Sequence, residues 1–125
     1  MARSAFELEY IIRSSPTILY NFLSTPSGLA QWFSDTCDIN GSEYSFGWNG
    51  NIEKATLIES VENEMIRFQW DSMEDDEYFE FLIERNEVSN DTILVVTDFA
   101  EEDDIEDQIL LWDSQIKRLR QQSGS

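Results

Sequence analysis

Residue types that perform nucleophilic or acid–base chemistry are sparse in this chain, apart from carboxylates. Histidine is absent, and cysteine occurs once, at Cys37. A serine or cysteine nucleophile activated by histidine therefore cannot exist here. The side chain that most often binds metals and carries protons near neutral pH is also missing. Cys37 lies between Asp35 and Asp38, and because nearby carboxylates raise the pKa of a thiol, the sequence argues against a reactive cysteine.

Two clusters of carboxylates have the chemistry to hold a hard cation, at residues 74–77 and 101–104. Neither cluster matches the spacing of a calcium-binding loop. We interpret the first as a solvated loop tip. The second would lie at the start of the last helix, where the helix dipole favours negative charge. The sequence therefore predicts no metal site and no cofactor.

Two further ionisable residues stand close to apolar ones. Arg67 alternates with apolar neighbours, and we expect it to face solvent; the alternative is that it anchors an anionic ligand. Asp98 precedes Phe99 at the end of a predicted strand, and we expect it to hydrogen-bond backbone. The alternation places no ionisable side chain inside the fold, so the sequence favours a non-enzymatic function and assigns no catalytic residues.

The charge balance is strongly acidic, with 26 Asp and Glu against 8 Lys and Arg and a net charge of −18. Such a field repels phosphate backbones and anionic lipid head groups, which argues against nucleic acid and bare membranes as partners. The simplest interpretation is solubility. The alternative is docking to a basic protein partner.

Apolar runs are only a few residues long, so we expect no membrane insertion. The start of the chain has no apolar signal-peptide core, and a lone cysteine suits a reducing compartment. We therefore expect the protein to be cytoplasmic. Its oligomeric state is left open by the sequence.

Hydrophobic periodicity predicts the elements that position these residues. The length, with 41% hydrophobic and 13% aromatic residues, indicates one domain over residues 1–125. A strand at residues 5–13 is followed by two short helices, each opened by a capping residue before proline, at Ser15-Pro16 and Thr25-Pro26. In the first helix, Ile18 and Phe22 are expected to form the inner edge, flanked by Leu19 and Leu23. Six strands follow, at residues 36–40, 43–48, 52–61, 65–70, 78–88 and 92–99. Asn49-Gly50 predicts a tight hairpin turn between the second and third of these, because both residues tolerate positive φ. Both faces of residues 93–96 are apolar, so we expect the last strand to lie centrally or beneath the long helix.

The last helix is predicted over residues 105–119, followed by a frayed end. Its apolar residues fall on one narrow stripe with Trp112 at the centre; they are Ile105, Ile109, Trp112, Ile116 and Leu119. Such a stripe needs a broad apolar surface, and the preceding strands can supply it. A twisted antiparallel sheet has a concave face on which this helix would lie.

This order of elements and several stretches of sequence resemble the START-like helix-grip (SRPBCC) superfamily. The matching stretches are SSPTILYNFLSTPSGLAQWF, YFEFLIE, LVVTDFAEEDD and LLWDSQIKRLR. The resemblance is strongest to small bacterial START-like domain proteins and extends to activators of a heat-shock chaperone ATPase. It implies an α+β helix-grip fold, in which a curved antiparallel sheet (β-α-α-β6-α) wraps around a long C-terminal helix.

In that superfamily a cavity lies between the sheet and the last helix. Carried over to this sequence, the resemblance predicts a lining of aromatic residues that would bind a small apolar ligand; they are Trp32, Phe33, Phe46, Trp48, Phe68, Trp70, Phe79, Phe81 and Trp112. The alternative is that these rings fill the concavity completely as core. A second function implied by the resemblance is an acidic protein-interaction module like the chaperone activators.

Overall fold

A computed structural model describes residues 3–124 of the chain. One antiparallel sheet contains seven strands in the order β1-β7-β6-β5-β4-β3-β2, and three α-helices accompany it. In chain order the elements are β1 (Arg3–Ile12), α1 (Pro16–Ser24), α2 (Pro26–Trp32), β2 (Thr36–Asn40), β3 (Glu43–Trp48), β4 (Asn51–Val61), β5 (Met65–Trp70), β6 (Phe79–Arg85), β7 (Thr92–Glu101) and α3 (Ile105–Ser123). The predicted helix-grip order, with a curved sheet and a long last helix, is confirmed.

The inner face of the sheet carries the core, as the alternation of apolar and polar residues predicts. Phe46, Phe68 and Phe81 are fully buried on β3, β5 and β6. β7 lies between β1 and β6 and buries both Val95 and Val96, on its two opposite faces. The prediction that this strand lies centrally or beneath the last helix is confirmed by its position between two other strands.

Both short helices begin where their capping residues predict. The Ser15 hydroxyl accepts a hydrogen bond from Ile18 N–H, and the Thr25 hydroxyl accepts one from Gly28 N–H. The expected inner edge of α1 is wrong, because Ile18 is 48% exposed whereas Leu19 and Leu23 are fully buried. The two leucines occupy adjacent turns on the side of the helix that meets the sheet.

The hairpin turns determine where the strands end. Asn49 and Gly50 have positive φ angles of 51° and 85°, as the predicted tight turn between β3 and β4 requires. β6 ends at Arg85 rather than at residue 88, because the Asn86 side chain accepts hydrogen bonds from the backbone N–H groups of Val88 and Ser89 and starts the turn.

The last helix, α3, packs most closely against the rest of the fold from Trp112 onward. Trp112, Ile116 and Leu119 are buried, whereas Ile105 and Ile109 are only half-buried. The predicted frayed end is wrong: the helix continues to Ser123 and is terminated by Gly124 in a left-handed conformation. Arg120 ties this end to β1 by donating two hydrogen bonds to Ile11 O.

None of the helices within residues 3–124 combines the length and the apolar character that crossing a bilayer requires.

Candidate functional site

A pocket of about 670 Å³ lies between the inner face of the sheet and the first half of α3. It forms at one end of the sheet, where β3 ends at Trp48, β4 begins at Asn51 and β5 ends at Trp70. The helix closes the opposite side with Gln108, Leu111, Trp112 and Gln115. A pocket of this size falls within the range of roughly 300–1,000 Å³ that is typical of small-molecule sites.

The aromatic residues predicted to line a cavity separate into two groups. Phe33, Trp48, Trp70 and Trp112 line the pocket. The remaining rings are fully buried in the core and do not line it; they are Trp32, Phe46, Phe68, Phe79 and Phe81. Trp48 and Trp70 stand at the ends of β3 and β5 and are only half-buried.

Phe33 connects the core to the pocket. It follows directly after α2 and is 3% exposed. Its ring centroid lies 5.0–6.2 Å from those of rings in both groups, namely Trp32, Phe46, Trp48, Trp70, Phe79, Phe81 and Trp112. The spacing of Leu29, Trp32 and Phe33 along α2 predicts a shared buried face, and all three are buried. The sequence does not indicate that Phe33 is the central ring.

Hydrogen bonds fix the rings that surround the pocket. The Trp48 indole N–H donates to Phe33 O at 2.9 Å, and the Gln115 side-chain amide donates to the same oxygen at 3.0 Å. The Trp112 indole N–H donates to Asp98 Oδ2 at 3.0 Å. Since these N–H groups are already bonded within the protein, the two indoles offer a ligand their ring surfaces rather than their donors.

Asp98 brings a buried carboxyl group to the pocket. It lines the pocket and is 7% exposed. Oδ1 accepts a hydrogen bond from Phe99 N–H at 2.8 Å, and Oδ2 accepts the bond from Trp112. Burial raises the pKa of the Asp98 carboxyl, although both hydrogen bonds and the charge of Arg3 oppose that rise.

The expected backbone bond of Asp98 is confirmed, but the expectation that no ionisable group faces the cavity is wrong. Asp98 shares its face of β7 with Leu94 and Val96, because side chains two residues apart in a strand point the same way. The two-residue spacing of Leu94, Val96 and Asp98 is therefore a sequence signal that predicts Asp98 on the inner face. Glu53 is a second carboxylate at the pocket, on the exposed rim.

A smaller recess of about 160 Å³ adjoins the pocket and shares Trp70 and Asp98 with it. Arg3 lines this recess, where its Nε lies 2.9 Å from Glu77 Oε1. Glu77 is only 7% exposed, so the expectation that all of residues 74–77 form a solvated tip is wrong for its last member. Its burial is compensated by the ion pair with Arg3.

The other candidate groups lie away from the pocket. Burial, with a contribution from the Asp38 carboxylate, raises the pKa of the Cys37 thiol to about 11, as the acidic surroundings predict. Arg67 neither faces solvent freely nor points to the pocket, because it pairs with Glu80 at 2.7 Å and lies over the Tyr78 ring. Within residues 3–124, no three Asp, Glu or Cys side chains converge as metal ligands would.

A family model for the START-like superfamily domain matches residues 1–125 of the chain. A search of curated proteins finds no match. Among solved structures, the chain is similar to BfR322 from Bacteroides fragilis, a solution NMR structure, with 34% sequence identity and a TM-score of 0.69. That match covers 98% of this chain and 92% of the other.

Two more distant neighbours share the fold. The Aha1 dimer from Colwellia psychrerythraea has a TM-score of 0.78 at 21% identity, with 94% of this chain and 93% of the other covered. The protein MLL2253 from Mesorhizobium loti has a TM-score of 0.77 at 14% identity, with 94% and 95% covered.

Proposed function

We propose that this chain, which belongs to the START-like superfamily, binds a small apolar molecule in the pocket between its sheet and α3. The observation that carries the proposal is the 670 Å³ pocket lined by Phe33, Trp48, Trp70 and Trp112. The rings beneath it are fully buried, so this is the part of the aromatic cluster that a ligand could reach. START-like domains offer such a pocket, which supports the assignment.

The rings surrounding the pocket are suited to binding without large rearrangement. Phe33 and Trp112 are 3% and 5% exposed and are held by neighbouring rings. A ligand gains roughly 25 cal/mol for each Å² of apolar surface that it removes from water, and this surface comes mainly from Trp48, Trp70 and Leu111, which are half-buried or exposed. Because hydrogen bonds already fix the Trp48 and Trp112 indoles, little side-chain entropy is lost on binding.

Binding rather than catalysis is supported by the isolation of Asp98. It is the only buried ionisable residue among the described residues that line the pocket. A general acid or base must also reach the reacting atom with suitable geometry. The other carboxylate at the pocket, Glu53, is exposed on the rim, so no second buried group among the described lining residues completes an acid–base pair.

Two adjacent leucines of α3 provide a matched test. Leu111 lines the pocket, and Leu110 does not, although both are more than half exposed. Leu111→Glu should weaken binding of 1-octanol by about tenfold or more, because it places a hydrated charge at an apolar contact. Leu110→Glu should leave the affinity unchanged. Isothermal titration calorimetry measures both, and a Leu111→Glu protein that binds octanol as tightly as the wild-type protein would contradict the proposal.

An acidic protein-interaction module is the second candidate, favoured by the net charge of −18. Arg3, Lys54 and Arg67 are paired with glutamates, which leaves a large excess of unpaired carboxylates. Aha1 from Colwellia psychrerythraea, with the same fold, is recorded as a dimer.

The immobilised protein should retain basic proteins near 0.01 M salt and release them near 1 M, since exposed charges are screened at high salt. A column that stays empty at low salt would contradict this function.

We place the ligand-binding function in the cytoplasm. The single cysteine, Cys37, is a free thiol, and such a thiol suits a reducing compartment.

A further inference from the structure

We infer that the ligand of this pocket is an amphiphilic cation, with an ammonium group that meets the aromatic rings and the Asp98 carboxylate and an apolar part that fills the remaining volume. The inference rests on the proposed function and names the chemical class of its ligand. The negative charge of the lining and the aromatic ring surface that remains accessible in it lead to this class.

The charge of the pocket lining is negative. Asp98 and Glu53 contribute carboxylates, and no Lys or Arg is found among the described residues that line the pocket. The nearest guanidinium, that of Arg3, belongs to the adjoining recess. Its charge is compensated by Glu77 at 2.9 Å, and it also donates to Phe99 O at 3.0 Å. An anionic ligand would therefore meet carboxylates with no free cation beside them.

The rings at the pocket stand at different angles to one another. Trp48 and Trp70 have centroids 6.0 Å apart at an interplanar angle of 57°, and Phe33 and Trp48 lie 5.4 Å apart at 71°. Phe33 is nearly parallel to Trp70 and Trp112, at 16° and 24°. Trp48 and Trp70 are only half-buried, so both have ring surface that a ligand can contact. The face of an aromatic ring attracts cations, and indole attracts them most strongly. Such groups of aromatic rings recognise ammonium ions in other proteins.

The polar side chains of the lining are compatible with a cation. The Trp48, Trp112 and Gln115 N–H groups all donate within the protein. Asn51 and Gln108, which also line the pocket, carry side-chain carbonyl oxygens that can accept from an ammonium group, as well as amide N–H groups that can donate. Because these amides suit a ligand of either charge, the carboxylates and the ring surfaces of the lining select the cation.

Asp98 supplies the localised charge. Each carboxylate oxygen has a second lone pair beyond the one used by Phe99 or Trp112, so an ammonium N–H can bind without breaking either bond. Because Asp98 is 7% exposed, its attraction to a cation is weakened less by water than that of a surface carboxylate. The net charge of −18 also concentrates cations around the protein.

Three ligands with the same eight-carbon chain test the inference: octylammonium, 1-octanol and octanoate. We expect octylammonium to bind about tenfold more tightly than octanol, and octanoate to bind most weakly, by calorimetry at pH 7. The salt concentration should be about 0.15 M, where surface charges beyond roughly 8 Å are screened. Equal affinity for octylammonium and octanol, or tighter binding of octanoate, would overturn the inference and leave the proposed function intact.

Charge-matched variants distinguish the pocket from the acidic surface. Asp98→Asn should reduce the ratio of octylammonium affinity to octanol affinity to less than about threefold. Asp38→Asn removes the same charge from an exposed position that does not line the pocket and should preserve the full ratio. If both variants reduce it equally, diffuse attraction explains the preference and the inference fails.

Glu53→Gln serves as a second variant if Asp98→Asn does not fold, because Glu53 lies on the exposed rim. This variant should reduce the ratio of octylammonium affinity to octanol affinity by a smaller factor than Asp98→Asn, since the charge of Glu53 is better hydrated. An unchanged ratio would count against the inference. If none of the three ligands binds the wild-type protein, the proposed function itself fails and the inference falls with it.

Discussion

Phe33→Ala is expected to lower the free energy of unfolding by about 3–5 kcal/mol, the usual cost of removing a buried phenylalanine ring. Phe33 is 3% exposed, and its ring lies between the core rings Phe46 and Phe81 and the pocket rings Trp48 and Trp112. Its removal would leave a cavity bordered by several rigid rings that cannot collapse into it. Urea denaturation followed by circular dichroism measures the loss.

Phe33→Leu is the matched control for that prediction. It retains apolar burial but removes the ring–ring contacts, which contribute roughly 0.5–1.5 kcal/mol per pair beyond the buried area. We expect its cost to be clearly smaller than that of alanine. A loss of less than about 1 kcal/mol for Phe33→Ala would show that Phe33 is not the central ring of the cluster.

Trp112→Ala is expected to cost about 3–5 kcal/mol as well. Trp112 is 5% exposed, and its ring packs against Phe33 and Phe81, each with centroids 5.8 Å away. The substitution also removes the indole N–H that donates to Asp98, and a buried acceptor without its donor is destabilising. Thermal and urea unfolding should both show the loss, and a value below about 1 kcal/mol would refute the view that Trp112 centres the contact of helix and sheet.

Two further variants separate the contributions of Trp112. Trp112→Phe keeps an aromatic ring but removes the donor to Asp98, so an intermediate loss of about 1–3 kcal/mol is expected. Leu110→Ala changes a residue on the same helix that is 66% exposed, and it should change stability by no more than about 0.5 kcal/mol. A loss at Leu110 comparable to that at Trp112 would indicate damage to the helix itself.

The elements could be predicted from local sequence because their signals are local. Proline after a capping residue predicts where α1 and α2 begin, and Asn49-Gly50 predicts the turn between β3 and β4. Boundaries without such signals were predicted less well. The last helix runs to Ser123 instead of ending at residue 119, where exposed polar residues give no pattern to follow.

It was harder to predict which individual side chains point into the core and which point to solvent. Ile18 and Leu19 are adjacent and equally apolar, yet only Leu19 is buried, because the packing angle of α1 on the sheet selects the buried side. Asp98 lies near the end of β7, and its position alone suggests a contact with backbone. Its spacing of two residues from Val96 and four from Leu94, however, places it on the inner face of the sheet. There, the Trp112 indole donates to it.

The sequence by itself determined the order of elements, the apolar faces and the acidic character of this protein, since these follow from periodicity, capping residues and composition. Only the tertiary structure decided which aromatic rings are core and which line a pocket. Trp32 and Trp48 have the same chemistry, but Trp32 is fully buried while Trp48 lines the pocket. The reason is that a pocket is a space left between elements distant in the chain, and its extent depends on how the first half of α3 lies over the ends of β3, β5 and β7.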